Sequence, residues 1–391
     1  MVARQASIKI TDYTKKFPIV TVTGVRQCGK TTMLRSSFPE YGYVSLEDAD
    51  IREFAMSDPR GFLQGYETPC IIDEIQRVPE LFSYLQTKVD NDNVMGEYIL
   101  SGSHNFLLME KVSQSLAGRT AVFTLAPFSI SELSSAEMLC TNADELMLKG
   151  FYPAIYNRSL SPDEYFPSYI RTYIERDVRL IKNITDADGF TRFVRLLAAR
   201  SGQTINHTDL SNACGISVPT VRAWLSVLRQ SFIVFELMPY YRNYSKRLVK
   251  TPKLYFYDTG LLCHMLGIET KEQLSAHPLR GAVFETMVIS EYMKSRFFKG
   301  KETAGYFWRD TNQNEVDLLT EDMGELRAYE IKSGKTMNRK FFDGLYKFSD
   351  ISGIPKENLN CILDIDRSMR GEKGNFIRYT EAFVRFRYNG I

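Results

Sequence analysis

The chain has 391 residues, of which 44% are hydrophobic and 25% charged, enough for two or three globular domains and too apolar to be extensively disordered. Lys and Arg number 49 against 47 Asp and Glu, so global charge does not advertise a polyanion partner, and any such surface must be a local patch. Six scattered cysteines with no C-x-x-C pair argue against a disulfide framework and a structural zinc and for a reducing cytosol. The first residues lack a signal-peptide layout and no apolar run nears the roughly 18 residues of a membrane span, so the expectation is a cytoplasmic protein.

Ile19 to Val22 read as a short buried strand. Gly24-Val25-Arg26-Gln27-Cys28-Gly29-Lys30-Thr31 then fit G-x-x-x-x-G-K-[ST], and Thr32 onward begins a helix. This strand, loop and helix order is what a phosphate-binding loop requires. Gly24 and Gly29 let backbone N–H groups turn toward phosphate oxygens, and the helix N-terminus adds its positive end. Lys30 supplies a charge for the β and γ phosphates and Thr31 a hydroxyl for Mg2+; Arg26 lies inside the loop, where covering phosphate is one of the directions open to it.

Tyr43 to Asp48 read as a second strand ending in acids. Cys70-Ile71-Ile72 form an apolar strand followed by Asp73 and Glu74, at the end of a strand where ligands sit in open parallel sheets. Asp73 is expected to hold the Mg2+ water shell and Glu74 to polarise the attacking water. Tyr98 to Ser103 is a further strand. Ser103 is either a sensor of the γ-phosphate or the start of a plain turn. Arg119, ahead of the strand Ala121–Leu125, either reaches a phosphate, its own or a neighbour's, or stays a solvated surface arginine.

The strings GVRQCGKTT, IIDEIQ, ILSGS, LAGRT and APFSISEL, followed by GFYPAIY, YIRTYIERDV, LYFYDTGLL, GAVFETMV and EVDLL…YEIKSG, cover nearly the whole chain. Together they resemble the prokaryotic AAA-type ATPases that carry a C-terminal domain of unknown function. The resemblance implies a nucleotide hydrolase and favours ATP over GTP; it does not supply a biological substrate.

In the middle of the chain, residues 165–182 mix apolar and charged positions. Arg171, Arg176 and Arg179 read as a solvated or ion-paired face, with Arg176 as a finger in trans the sharper alternative. Helical spacing over Phe190–Arg200 is followed by a short helix capped by Thr208 or Asp209. Gly215 then makes a left-handed turn, and Ser217 caps the helix Val218–Arg229. Two strands enclose a basic, tyrosine-rich stretch with Arg242, Lys246, Arg247, Lys250 and Lys253. This is a winged-helix layout, with Thr220 and Arg222 facing a DNA groove and the basic stretch on phosphates, or else a packing or protein-binding module.

At the C-terminus, a hairpin turning at Met323-Gly324 sets Asp317 opposite Glu330, and Glu330 and Lys332 share one strand face. Glu285 approaches from the preceding helix. This set is similar to the restriction-endonuclease-like fold and suits Mg2+ or Mn2+ at Asp317 and Glu330; the plain alternative is an ion pair on a strand, or the fold without cleavage.

The expected architecture is α/β: a P-loop NTPase (AAA-like) parallel sheet with helices on both faces, a winged-helix middle domain and a restriction-endonuclease-like α/β C-terminal domain. The expected borders are 1–135 for the ATPase, 136–188 for a helical linker or lid, 189–262 for the winged helix and 263–391 for the nuclease-like part. The expected ligands are ATP and Mg2+, with DNA and a second copy of the chain as candidate partners and no membrane. The expected function is Mg-dependent ATP hydrolysis coupled to nucleic-acid binding. The alternatives are an ATP-regulated, metal-dependent DNA nuclease and a nucleotide-switched binding module with weak hydrolysis.

Overall fold

The computed structural model describes residues 2–102, 112, 114–178, 184, 186–240, 251–301, 305–322 and 324–382, with the side chains of 175–178 excepted. The chain divides into two compact units, one of residues 1–128 with 296–302 and the other of 129–295 with 303–391.

The first unit is built on five parallel strands, β1 (Ile19–Gly24), β2 (Gly42–Ser45), β3 (Cys70–Asp73), β4 (Tyr98–Ser101) and β5 (Thr120–Leu125), in the order β2-β3-β4-β1-β5. Central β1 is buried at all six positions, which is why it reads as an unbroken apolar and β-branched run rather than an alternating one. Ile19, Ile72, Leu100, Phe82 and Leu85 belong to one core cluster, to which the helix Leu81–Asp92 contributes its apolar stripe. The second strand stops at Ser45, before the acids. Asp48 instead caps the helix Ala49–Ser57 by accepting from the N–H groups of Asp50 and Ile51.

The second unit carries an eight-stranded mixed sheet in the order β12-β13-β11-β10-β9-β8-β6-β7. Its strands are β6 (Val234–Pro239), β7 (Lys253–Phe256), β8 (Gly305–Arg309), β9 (Glu315–Asp322), β10 (Glu325–Lys332), β11 (Leu359–Leu363), β12 (Met369–Gly371) and β13 (Gly374–Arg378). Trp308, Val316, Leu319, Ala328, Phe348 and Leu363 pack in its core. Ahead of the sheet come the helices Ala187–Ala199, His207–Cys214 and Val218–Gln230. The short helix is capped by Asn206, not by Thr208 or Asp209, whose N–H groups both donate to the Asn206 side chain. Gly215 takes the left-handed conformation (φ 68°) and Ser217 caps the next helix, as the spacing predicts. Antiparallel β6 and β7 follow, with residues 202–205 hydrogen-bonded along the far side of β7. β6 also pairs with β8 through Met238 and Pro239, so the sheet crosses the border drawn in the sequence at 262.

A buried carboxylate holds a fold-defining turn in this unit. Asp258, 1% exposed, accepts from the N–H of Phe151 at 2.7 Å and of Leu261 at 2.9 Å. Gly150 sits against it at φ 68°, where a Cβ would come within 2.5 Å of Asp258 Oδ1, so the position takes only glycine. The strings GFYPAI and YDTGLL meet here.

Candidate active site

The loop between β1 and the helix Lys30–Ser37 lies at the C-terminal edge of the parallel sheet, where β4 and β5 flank β1 and β3 lies next beyond β4. Gly24 leaves the strand at φ 137°, and a Cβ there would lie 1.9 Å from the Leu125 carbonyl oxygen. Gln27 and Gly29 take positive φ values of 60° and 87°, which curls the loop back onto the helix N-terminus. Val25 N–H donates to Leu125 O and Cys28 N–H to Val25 O, so these two amides hold the loop's shape. Cys28 is fully buried; Arg26 is half-buried, and Gln27 and Thr32 are exposed.

Lys30 is 7% exposed, and its ammonium donates to the carbonyls of Gly24 (3.1 Å) and Val25 (3.0 Å). Both partners are neutral, so among the described residues no carboxylate cancels this buried charge, which suits an anion in the loop. Thr31 Oγ1 donates to Asp73 Oδ2 at 2.7 Å, joining the phosphate loop to the end of β3. Asp73 also accepts from the Tyr43 hydroxyl at 3.0 Å and from Ser101 Oγ. Burial and the Asp73 charge push the Tyr43 phenol up to about 12, so it stays a donor. Glu74 follows in the left-handed region (φ 56°, ψ 40°), with its carboxylate on Gln76 Nε2. The donor set of a hydroxyl and a carboxylate beside a phosphate loop fits Mg2+, with Thr31 and Asp73 as the residues that would hold it.

Three partners in this site carry no motif. Tyr43 and Ser101 fix the Asp73 carboxylate. Arg4, 9% exposed, donates to Cys28 O at 2.7 Å and Ala126 O at 2.6 Å and lies 5.0 Å over the Phe128 ring, bracing the loop from the N-terminal segment. Ser103 lies outside the described residues; within ILSGS it is Ser101 that meets the site.

Of the readings open for Arg119, the structure disfavours reach to its own phosphate loop. This residue precedes β5, and its carbonyl accepts from Ile19 N–H at the start of β1, so it sits at the N-terminal edge of the sheet. A six-residue strand spans about 20 Å, which is too far for its side chain to reach its own phosphate loop. Its guanidinium instead grips Asp90 with two bonds of 2.5 and 2.7 Å.

In the second unit, the β9–β10 register pairs Tyr329 with Leu318, and Glu330 and Asp317 are the next residues along the two strands. Glu285, on the helix Arg280–Phe298, reaches the same place. Lys253, which closes the basic stretch and opens β7, also belongs here. It is 2% exposed, with its ammonium 2.5 Å from Glu315, 3.1 Å from Glu285 and 3.8 Å from Asp317. Tyr255 donates to Glu285 at 2.6 Å, and Asp317 accepts from Ile331 N–H at 2.8 Å. Lys332 pairs with Glu330 at 2.5 Å and lies 3.8 Å from Asp317. Burial, reinforced by the Asp317 charge and opposed by Lys332, pushes Glu330 up to about 8. Burial also raises Glu285. The two carboxylates expected to hold a metal are both met by the Lys332 ammonium, and Asp317 also by that of Lys253.

On the helix Val218–Gln230, Val221, Trp224, Leu225 and Leu228 face inward and Arg222 is exposed. Thr220 is half-buried and bonded to the Ser217 hydroxyl at 2.7 Å. Arg171 is exposed; Arg242, Lys246, Arg247, Lys250 and Arg179, and the Arg176 side chain, lie outside the described residues. No helix among the described residues is long and apolar enough to cross a membrane.

Residues 16–134 match the AAA domain family, 140–272 a domain of unknown function (DUF8612) and 280–381 a second domain of unknown function (DUF4143). The uncharacterized proteins Mb2031c of Mycobacterium bovis and Rv2008c of Mycobacterium tuberculosis are each 30% identical over 338 residues, 85% of this chain and 74% of theirs. Among solved structures, the Walker-type ATPase of Pyrococcus abyssi is similar at 14% identity, over 67% of this chain and 95% of that one, with a TM-score of 0.45.

Proposed function

Because the chain belongs to the AAA-type P-loop ATPases that carry a C-terminal domain of unknown function, we propose that it binds ATP with Mg2+ and hydrolyses it. The observation that carries this reading is the 2.7 Å bond from Thr31 to Asp73, which ties the phosphate loop to the acidic strand end before any ligand arrives. Lys30 exchanges its loop carbonyls for phosphate oxygens. Thr31 and Asp73 would hold Mg2+, which would supply charge neutralisation at the phosphates. Tyr43 and Ser101 keep the Asp73 carboxylate aimed, and Glu74 takes the proton of the attacking water.

Lys30→Ala should abolish nucleotide binding, and Asp73→Asn should weaken binding in Mg2+ more than in EDTA. Glu74→Gln should keep ATP bound while turnover falls by about 100-fold or more. Equilibrium binding of a fluorescent ATP analogue and phosphate release measure these. Unchanged binding and turnover in Lys30→Ala would overturn the reading.

A second component of the proposal is nucleic-acid contact. It is supported by the exposed Arg222 on a helix whose opposite stripe is buried, next to a sequence stretch rich in Lys and Arg.

A further inference from the structure

The cluster on β9 and β10 brings together four carboxylates, from Glu285, Glu315, Asp317 and Glu330. Three cations meet them: Lys253, Lys332, and Arg309, whose Nε lies 3.3 Å from Glu315. A divalent cation needs about six oxygen ligands, supplied by protein or water. Here the central position among Glu285, Glu315 and Asp317 holds an ammonium. Glu330 Oε2 is left without a hydrogen bond, and a single oxygen is no divalent site.

Lys253 is not a surface arm that has folded inward. Its backbone is paired on both sides, with Leu237 of β6 and with Thr204. Its ammonium lies 5.6 Å from the Phe307 ring centroid and is delivered from within the sheet. Removing it would leave buried carboxylates uncompensated, which is costly in a low-dielectric interior. A metal ion entering beside it would bring two more positive charges into a cluster already close to neutral.

We infer that Lys253 is the resident cation of this cluster and that the second unit, in this conformation, takes no divalent metal at Asp317 and Glu330.

The test is Mn2+ binding to the full-length, nucleotide-free chain, read from the loss of the free Mn2+ electron-spin-resonance signal. Wild type, Asp317→Asn and Glu285→Gln should bind the same number of ions. Lys253→Met should gain one ion per chain, and Lys253→Met combined with Asp317→Asn should lose that gain. ATP turnover of Lys253→Met should match wild type, which shows that the first unit is intact. A wild-type ion lost in Asp317→Asn overturns the inference, and so does Mg2+-dependent DNA cleavage lost in Asp317→Asn. A folded Lys253→Met that gains no ion also overturns it. Should Lys253→Met not fold, the comparison of wild type with the two acid variants decides alone.

Discussion

Glu330 shows how one side chain writes a pH dependence into the second unit. Its folded carboxyl holds a proton up to about 8, mainly because it is buried, whereas an unfolded one releases it near 4.5. Between those values the folded state binds more protons than the unfolded state. Stability is therefore greatest below the unfolded value and falls as pH rises toward 8, the reverse of an ion-paired acid with a depressed pKa. Glu330→Gln cannot release a proton. Wild type should lose stability relative to this variant between pH 5 and 8, at no more than about 1.4 kcal/mol per pH unit. Urea denaturation of both chains across that range measures it; parallel curves would show that the carboxyl is not held protonated. At this scale the sequence was readable where a signature is local. Lys30, Thr31 and Asp73 fall where the pattern puts them because a loop of eight residues and one strand end define their places. For Arg119 a further signal was available against reach to its own loop: a residue ahead of a parallel strand belongs to the edge opposite the phosphate loop.

Between elements, the phosphate loop depends on a residue upstream of the first helix. Arg4 satisfies two carbonyls, one in the loop and one just after β5. Arg4→Ala would leave both buried oxygens without that donor, at a cost of about 2 kcal/mol or more to the first unit. The expected result is a lower melting temperature together with a several-fold higher KM for ATP and a smaller change in kcat, since Arg4 shapes the loop without touching the reacting atoms. Unchanged melting and KM would show that the loop keeps its shape without this brace. A lone arginine among ordinary residues gives no clue to this role, because the carbonyls it meets lie 24 and 122 positions away. The place of Lys253 was not legible for a related reason. Its neighbours Arg242 to Lys250 give the stretch a basic look, but the pairing of β7 turns this one lysine toward acids 32 to 64 residues downstream.

For the whole molecule, nucleic-acid contact is testable by its salt dependence. Lowering salt should strengthen binding of double-stranded DNA, and replacing Arg222 by Ala should reduce the slope of log affinity against log salt by about 1. Replacing Lys246 and Arg247 together should reduce it by about 2. Fluorescence anisotropy across a salt series reads both; affinities and slopes equal to wild type would remove DNA from the proposed function. The parallel sheet was legible because each strand is a short apolar run bounded by turns. The eight-stranded sheet was not, because β6 is joined to β8 across an interval of some seventy residues, and periodicity is silent about such distant pairings.

The helix bearing Arg222 runs through three residues into β6, and β6 is itself a strand of the sheet that carries Glu330 and Lys332. No slack tether separates the two. β6 pairs with β7, whose first residue is Lys253, so the helix that carries Arg222 and the lysine at the centre of the ion cluster belong to adjoining, hydrogen-bonded segments.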